Sequence, residues 1–384
     1  MNIPLQPTHA TAQVFAQSRA SARRPNLHAL TGLRALLALG IVFFHFTPPH
    51  MQLLGPVIDS AYVFVVVFFL LSGYVLAYNY ADRPGPMVKR DFWRARFARV
   101  YPVYLLSLVL SCTMFQAEWH ARPHADFFAG LILTPLLLQG WSPLLATFWN
   151  TVAWALSAEL VLYVAFPWLI QLPWPKSPRR LIALSLAIWA LGLVPHSLYI
   201  LLNPDHLAAP VDRYSSGYWL RALKYTPMAY ACTFLVGIAL GKLQTVLAIS
   251  PRRRTLFAAT SLIALAAFYA TVVSHVPFVL MHGGLMVPLF AALIVGLSGR
   301  NPIASVFSWR PLVLLGQASY CLYLLHFNFI NSLRIFHVTE RLHIVALDPW
   351  ISYAATVLLA FAALYLVEEP ARKAILQRAT PRST

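Results

Sequence analysis

Apolar residues fall in runs of roughly the 20 residues that cross a bilayer as a helix, broken by short polar connections rich in Arg, Pro and Gly. The runs lie at 29–47, 57–80, 100–117, 150–171, 181–203, 226–246, 255–274, 279–298, 312–334 and 347–367. This pattern predicts an all-α fold, a polytopic transmembrane bundle of about ten spans. One further apolar stretch, Asp126 to Gly140, is short for a crossing and contains Pro135. It is expected to be a re-entrant or interfacial element. Residues 1–28 are rich in Ser, Ala, Gln and Thr and read as a disordered cytoplasmic tail. Residues 29–372 then form one transmembrane domain, and 373–384 a second cytoplasmic tail. The first apolar run is interrupted by Arg34 and lacks a small-residue cleavage site, which argues against a removed leader.

Composition supports the membrane reading: 59% of the 384 residues are apolar, 11% are charged, and mean hydropathy is +0.65. The runs use up the chain, so chemistry is expected within the bundle. A net charge of +17 suggests nucleic acid until the cations are placed. With ten spans and the N-terminus inside, 22 Lys and Arg fall on the inner side and 6 on the outer, the bias expected of cytoplasmic loops. A crossing at 126–140 would exchange every later loop and weaken that bias. Nucleic acid is therefore not an expected partner, and both termini are expected in the cytosol. Cys112, Cys232 and Cys321 stand singly in apolar runs, a spacing that suits neither a disulfide framework nor a metal site.

Polar residues inside the spans point to chemistry. Arg34 and His45 are eleven positions apart in the first run, which puts them on one helix face about 16 Å apart along the axis. A charged group at such depth is costly unless it faces a polar path or a partner. Of the twelve acidic residues, Glu159 falls well inside a span, with Tyr163 one turn further on the same face. Depths counted from the span ends group Glu159 with His45 and with His326 of the ninth span in the outer half, and leave Arg34 near the inner leaflet. Ser72 and Gly73 in the second span allow close packing or leave room for a thin substrate arm. The first inner loop, Lys89 to Arg99, alternates cations with aromatics. It reads as a basic interfacial helix, and Arg90, Arg94, Arg96 and Arg99 also suit phosphate.

Two function classes remain open on these residues. Buried ionisable groups fit a transporter or flippase with a permeation path, and they equally fit a membrane-embedded enzyme.

Six fragments, in order, decide between them: Thr31-Gly32-Leu33-Arg34 with ten residues before His45; Phe68-Phe69-Leu70-Leu71-Ser72-Gly73-Tyr74; Arg96 to Tyr104; Trp154-Ala155-Leu156-Ser157-Ala158-Glu159; Ser319 to His326; and Val367-Glu368-Glu369-Pro370. Together they cover nearly the whole chain, which resembles the acyltransferase-3 family, membrane-embedded O-acyltransferases of bacteria that acetylate O-antigens, exopolysaccharides and other cell-surface acceptors. The resemblance implies an integral protein of the bacterial inner membrane. It further implies a cytoplasmic acyl-CoA donor, such as acetyl-CoA, no metal, and a polysaccharide or glycolipid acceptor on the outer side. In that setting Arg34, Ser72, Arg90, Arg94, Arg96 and Arg99 would hold the donor. His45, Glu159 and His326 would form the catalytic set, with His45 as general base or as covalent acyl carrier and Glu159 orienting it. The chain departs from the family pattern at Val66 and Leu160, where acidic residues are common, and around Pro227, where Arg-x-Pro-Glu is missing. No soluble esterase-like domain is expected within it.

Overall fold

The computed structural model describes residues 27–81 and 87–377, and among them every regular element is a helix. The tail expected at 1–28 lies almost wholly outside the described residues. The principal helices are α1 His28–His45, α2 Val63–Tyr80, α3 Lys89–Leu110, α4 His124–Leu133, α5 Trp154–Leu169, α6 Pro178–Leu202 and α7 Pro227–Val246. After them come α8 Pro251–Thr271, α9 Val287–Leu297, α10 Arg310–Gln317, α11 Ser319–Ile335, α12 Trp350–Ala363 and α13 Glu369–Gln377. Among the described residues seven helices are long and apolar enough to cross a membrane, or nine if α3 and α10–α11 are each counted with the bent partner that completes a span. The tenth expected span, 150–171, is the shorter helix α5, entered through a run of turns.

One expectation needs correction, and two are refined. The basic stretch Lys89 to Arg99 is not a separate surface helix, because it forms the first turns of α3, which runs on unbroken through Pro102. The expected tail at 373–384 is helical as far as Gln377, and the rest lies outside the described residues. Between α4 and α5 the chain turns back inside the bundle. Thr134 and Gln139 are fully buried, Tyr101 Oη donates to the Pro135 carbonyl at 3.0 Å, and Ser157 Oγ donates to the Leu137 carbonyl at 2.6 Å. Non-helical backbone survives in such surroundings only where protein groups satisfy it, which favours the re-entrant form of the 126–140 element.

Small residues set the tightest crossings. Helices α2 and α7 touch through Gly73 and Gly237: a Cβ on the first would run into the Phe234 carbonyl, and one on the second into the Leu70 carbonyl. Gly32 of α1 meets the Phe307 carbonyl and Gly316 of α10 meets the Thr31 carbonyl in the same way, which fixes the inner end of α1. Membrane helices gain little from burying apolar surface in one another, so this backbone contact supplies much of the association. Gly237→Leu is expected to destabilise the bundle by about 1–3 kcal/mol or more through overpacking. Gly55→Ala, with nothing within 4 Å of the added carbon, is its neutral control. Thermal midpoints from fluorescence-detected size exclusion check both.

Candidate active site

Helix α1 ends at His45, and α11 brings His326 against it. His326 Nδ1 lies 2.7 Å from the Tyr323 carbonyl and 3.2 Å from that of Leu322, so Nδ1 carries the proton and Nε2 is left as an acceptor. That Nε2 is 3.0 Å from His45 Nδ1, which is also 3.0 Å from the Ile41 carbonyl. Because a carbonyl only accepts, His45 Nδ1 is the protonated nitrogen, and Nε2 of His45 holds a free lone pair. The order is that of an oriented base: carbonyl, imidazole, imidazole, open nitrogen.

Polar contacts from the turns at 149–152, themselves tied to α3, hold α11 in this register. Asn150 Nδ2 donates to the Leu324 carbonyl and to Ser107 Oγ, both at 3.1 Å. Asn328 Nδ2 donates to the Trp149 carbonyl at 2.9 Å and Tyr323 Oη to that of Val152, also at 2.9 Å. Buried amides of this kind act between membrane helices as specific fasteners. His326 itself is fully buried, whereas His45 lines a cavity of about 400 Å3.

Glu159 does not join the imidazoles. Its Oε1 accepts from Ser72 Oγ and from Tyr163 Oη, both at 2.5 Å, and it shares a neck of about 60 Å3 with Arg34. Its expected role as the orienting partner of His45 therefore passes to His326. The neck touches the His45 cavity at Val65 and Tyr323. On its other side it shares Arg34, Ser72 and Glu159 with a cavity of about 490 Å3 at the N-terminal end of α1, the side the sequence reading places inside and here called the inner cavity. Three cavities thus lie in series along the Arg34–His45 face of α1.

The inner cavity collects Arg96 and Arg99 beside Arg34. Nε of Arg34 and of Arg96 is buried without a hydrogen bond among the described residues, as expected where a ligand supplies the acceptor. Arg90 and Arg94 are not part of this wall. Arg90 is exposed, and Arg94 pairs at 2.8 Å with Asp91, because the α3 helix turns both away from the face that carries Arg96 and Arg99.

The sequence reading missed Glu368, Arg213 and Lys224. Glu368 ends a π-helical turn, Leu364–Glu368, which rotates it into the inner cavity, where Cys321 Sγ donates to it at 3.4 Å. Its signal was its place in Val367-Glu368-Glu369-Pro370. Arg213 and Lys224 line the His45 cavity from the connection between α6 and α7.

A family model described as an acyltransferase domain matches residues 27–369. The chain is similar to acyltransferase MdmB of Streptomyces mycarofaciens, 34% identical over 172 residues, which is 40% of this chain and 42% of that protein. It is also similar to peptidoglycan O-acetyltransferase OatA of Listeria monocytogenes, 22% identical over 91% of this chain and 56% of that protein. O-acetyltransferase OatA of Staphylococcus aureus is 22% identical over 90% of this chain and 57% of its own length. The chain spans about half the length of these curated relatives. No solved structure matches it.

Proposed function

Since the chain belongs to the acyltransferase-3 family, we propose that it is a membrane-embedded O-acyltransferase that takes an acyl group, acetyl in the first instance, from cytoplasmic acyl-CoA to a hydroxyl on the outer face. The observation that carries this is the series of cavities, with an inner end walled by Arg34, Arg96 and Arg99 and an outer end holding the free nitrogen of His45. Guanidiniums suit the phosphates of the nucleotide end. The neck suits a single thin chain such as the pantetheine arm, whose thioester then reaches His45. A saccharide of the cell surface is the acceptor best supported by analogy, because one relative is named for peptidoglycan.

In the direct reaction His45 Nε2 takes the hydroxyl proton as the oxygen attacks the thioester carbonyl carbon. The tetrahedral intermediate then collapses, the carbon–sulfur bond breaks, and His45 returns its proton to the departing thiolate. His326 keeps His45 in the reactive tautomer throughout. In the covalent variant Nε2 attacks the thioester carbonyl carbon and the carbon–sulfur bond breaks, releasing the thiolate and leaving an acyl-imidazolium. The acceptor oxygen then takes the acyl group as the carbon–nitrogen bond breaks, and its proton passes to the freed Nε2 or the thiolate. Incubation with donor alone and mass spectrometry of the His45 peptide separates the two.

The reading is tested with purified protein in liposomes, labelled acetyl-CoA on one side and a saccharide acceptor on the other. Ester formed on the acceptor side supports it. An inert protein that instead carries the saccharide or an ion across the bilayer supports a transporter. His326→Leu is expected to lower kcat about ten- to a hundredfold, less than losing a triad's sole orienting group because the Ile41 carbonyl also holds His45 Nδ1, with donor KM unchanged. His326→Gln keeps a carbonyl acceptor for His45 Nδ1 and should recover part of the loss. Equal kcat in both variants would assign His326 to packing.

A further inference from the structure

Every acid is missing from the wall of the outer cavity, yet two cations stand in it. Lys224 is only 6% exposed, its Nζ donates to the Arg213 carbonyl at 3.2 Å, and it lies over the rings of Phe278 and Tyr225 at 5.3 and 5.5 Å. Among the described residues no carboxylate pairs with it. Arg213 reaches Asp59 only at 3.9 Å, and that carboxylate is 66% exposed. Its guanidinium lies 4.9 Å over the ring of Phe44, next to His45, and donates to the Phe44 carbonyl at 3.2 Å. A buried ammonium with no carboxylate at ion-pair distance, Asp212 acting on it only from further off, needs an explanation. Anchoring to lipid headgroups does not supply it, because Lys224 is buried in the cavity wall, and Arg213, 27% exposed, lines the same cavity. The donor does not supply it either, since the thioester end of the pantetheine arm is uncharged. Much of the remaining wall is aromatic, including Tyr62, Trp154, Tyr225 and Tyr323, the residue type that commonly lines sites for sugar rings.

We infer that the outer cavity selects an anionic saccharide, one that carries a carboxylate or phosphate close to the hydroxyl presented to His45, with Arg213 and Lys224 binding the negative group. This rests on the reading of His45 as the base that serves an outer acceptor, and it adds the charge of that acceptor.

The test uses the full chain in phosphatidylcholine nanodiscs without donor, titrated through its tryptophan fluorescence. The probes are a neutral N-acetylglucosamine trisaccharide and the same trisaccharide carrying a carboxylate or a phosphate. Binding of the charged sugars is expected to be about 10- to 100-fold tighter at low salt, the range of a charge-assisted hydrogen bond, with the preference shrinking as salt rises. Arg213→Gln, which keeps a donor for the Phe44 carbonyl, should bring charged and neutral sugars to within about twofold. Arg213→Lys should keep most of the preference. Lys224→Met should act like Arg213→Gln. Equal affinity for both sugars in the unaltered protein, or a preference that survives both Arg213→Gln and Lys224→Met, overturns the inference. Inorganic phosphate, or phosphatidylglycerol added to the disc, that binds as tightly as the charged sugar also overturns it. Because no donor is present, a preference seen alongside failed acyl transfer would sink the transferase reading alone, and transfer without preference would sink this inference alone.

Discussion

His45→Ala is expected to remove acyl transfer, with kcat falling about 10²- to 10⁴-fold, the usual contribution of a positioned base. His45 carries the imidazole nitrogen that faces the cavity, and His326 is a poor replacement, because two backbone carbonyls fix its ring in a fully buried position behind the vacated one. The fold should persist. The change removes a side chain at the end of a helix and a cavity wall, and its loss leaves His326 the two carbonyl contacts that fix it. Initial rates with labelled donor, beside a donor-protection assay against tryptic cleavage, check the claim. A variant that still turns over at more than a tenth of the normal rate would move the base elsewhere.

Arg34→Ala should act on the donor instead. Its guanidinium is buried where neck and inner cavity meet, and its Nε awaits an acceptor. Removing one side of a buried charge contact costs about 2–5 kcal/mol, so donor KM should rise by about two orders of magnitude with kcat changed far less. Arg34→Lys keeps the charge without the fork and should fall between. Glu159 keeps both of its hydroxyl donors in these variants, so the local structure does not depend on Arg34. Unchanged donor KM in Arg34→Ala would remove this residue from the donor path.

Several of these features were legible in the sequence because an apolar background makes a lone polar residue conspicuous. Arg34, His45, Glu159 and His326 stand out in that way, and the family model matches across the helices that carry them. What the sequence hid is the direction in which each residue points. Counting from the end of a span gives a residue's depth but not its azimuth. Glu159 was therefore grouped with the imidazoles when its hydroxyl partners, Ser72 and Tyr163, hold it beside Arg34. The same limit separated Arg96 and Arg99 from Arg90 and Arg94, four cations alike in sequence but set on different faces of α3. Glu368 was obscured by a π turn, which has no compositional mark. Arg213 and Lys224 belong to a connection whose path depends on contacts far along the chain, such as that of Arg213 with Phe44.

The 60 Å3 neck also bears on the energy economy of the cell. A membrane that stores a proton gradient is discharged by any open water column, and a passage from one face to the other invites one. Here the narrowest point has room for only a few waters and sets the guanidinium of Arg34 in the way of a cation, as pores do to exclude hydronium, with Glu159 held apart by its two hydroxyl donors. On the proposed reading, the guanidinium that receives the anionic donor would thus also keep the barrier electrically tight between turnovers.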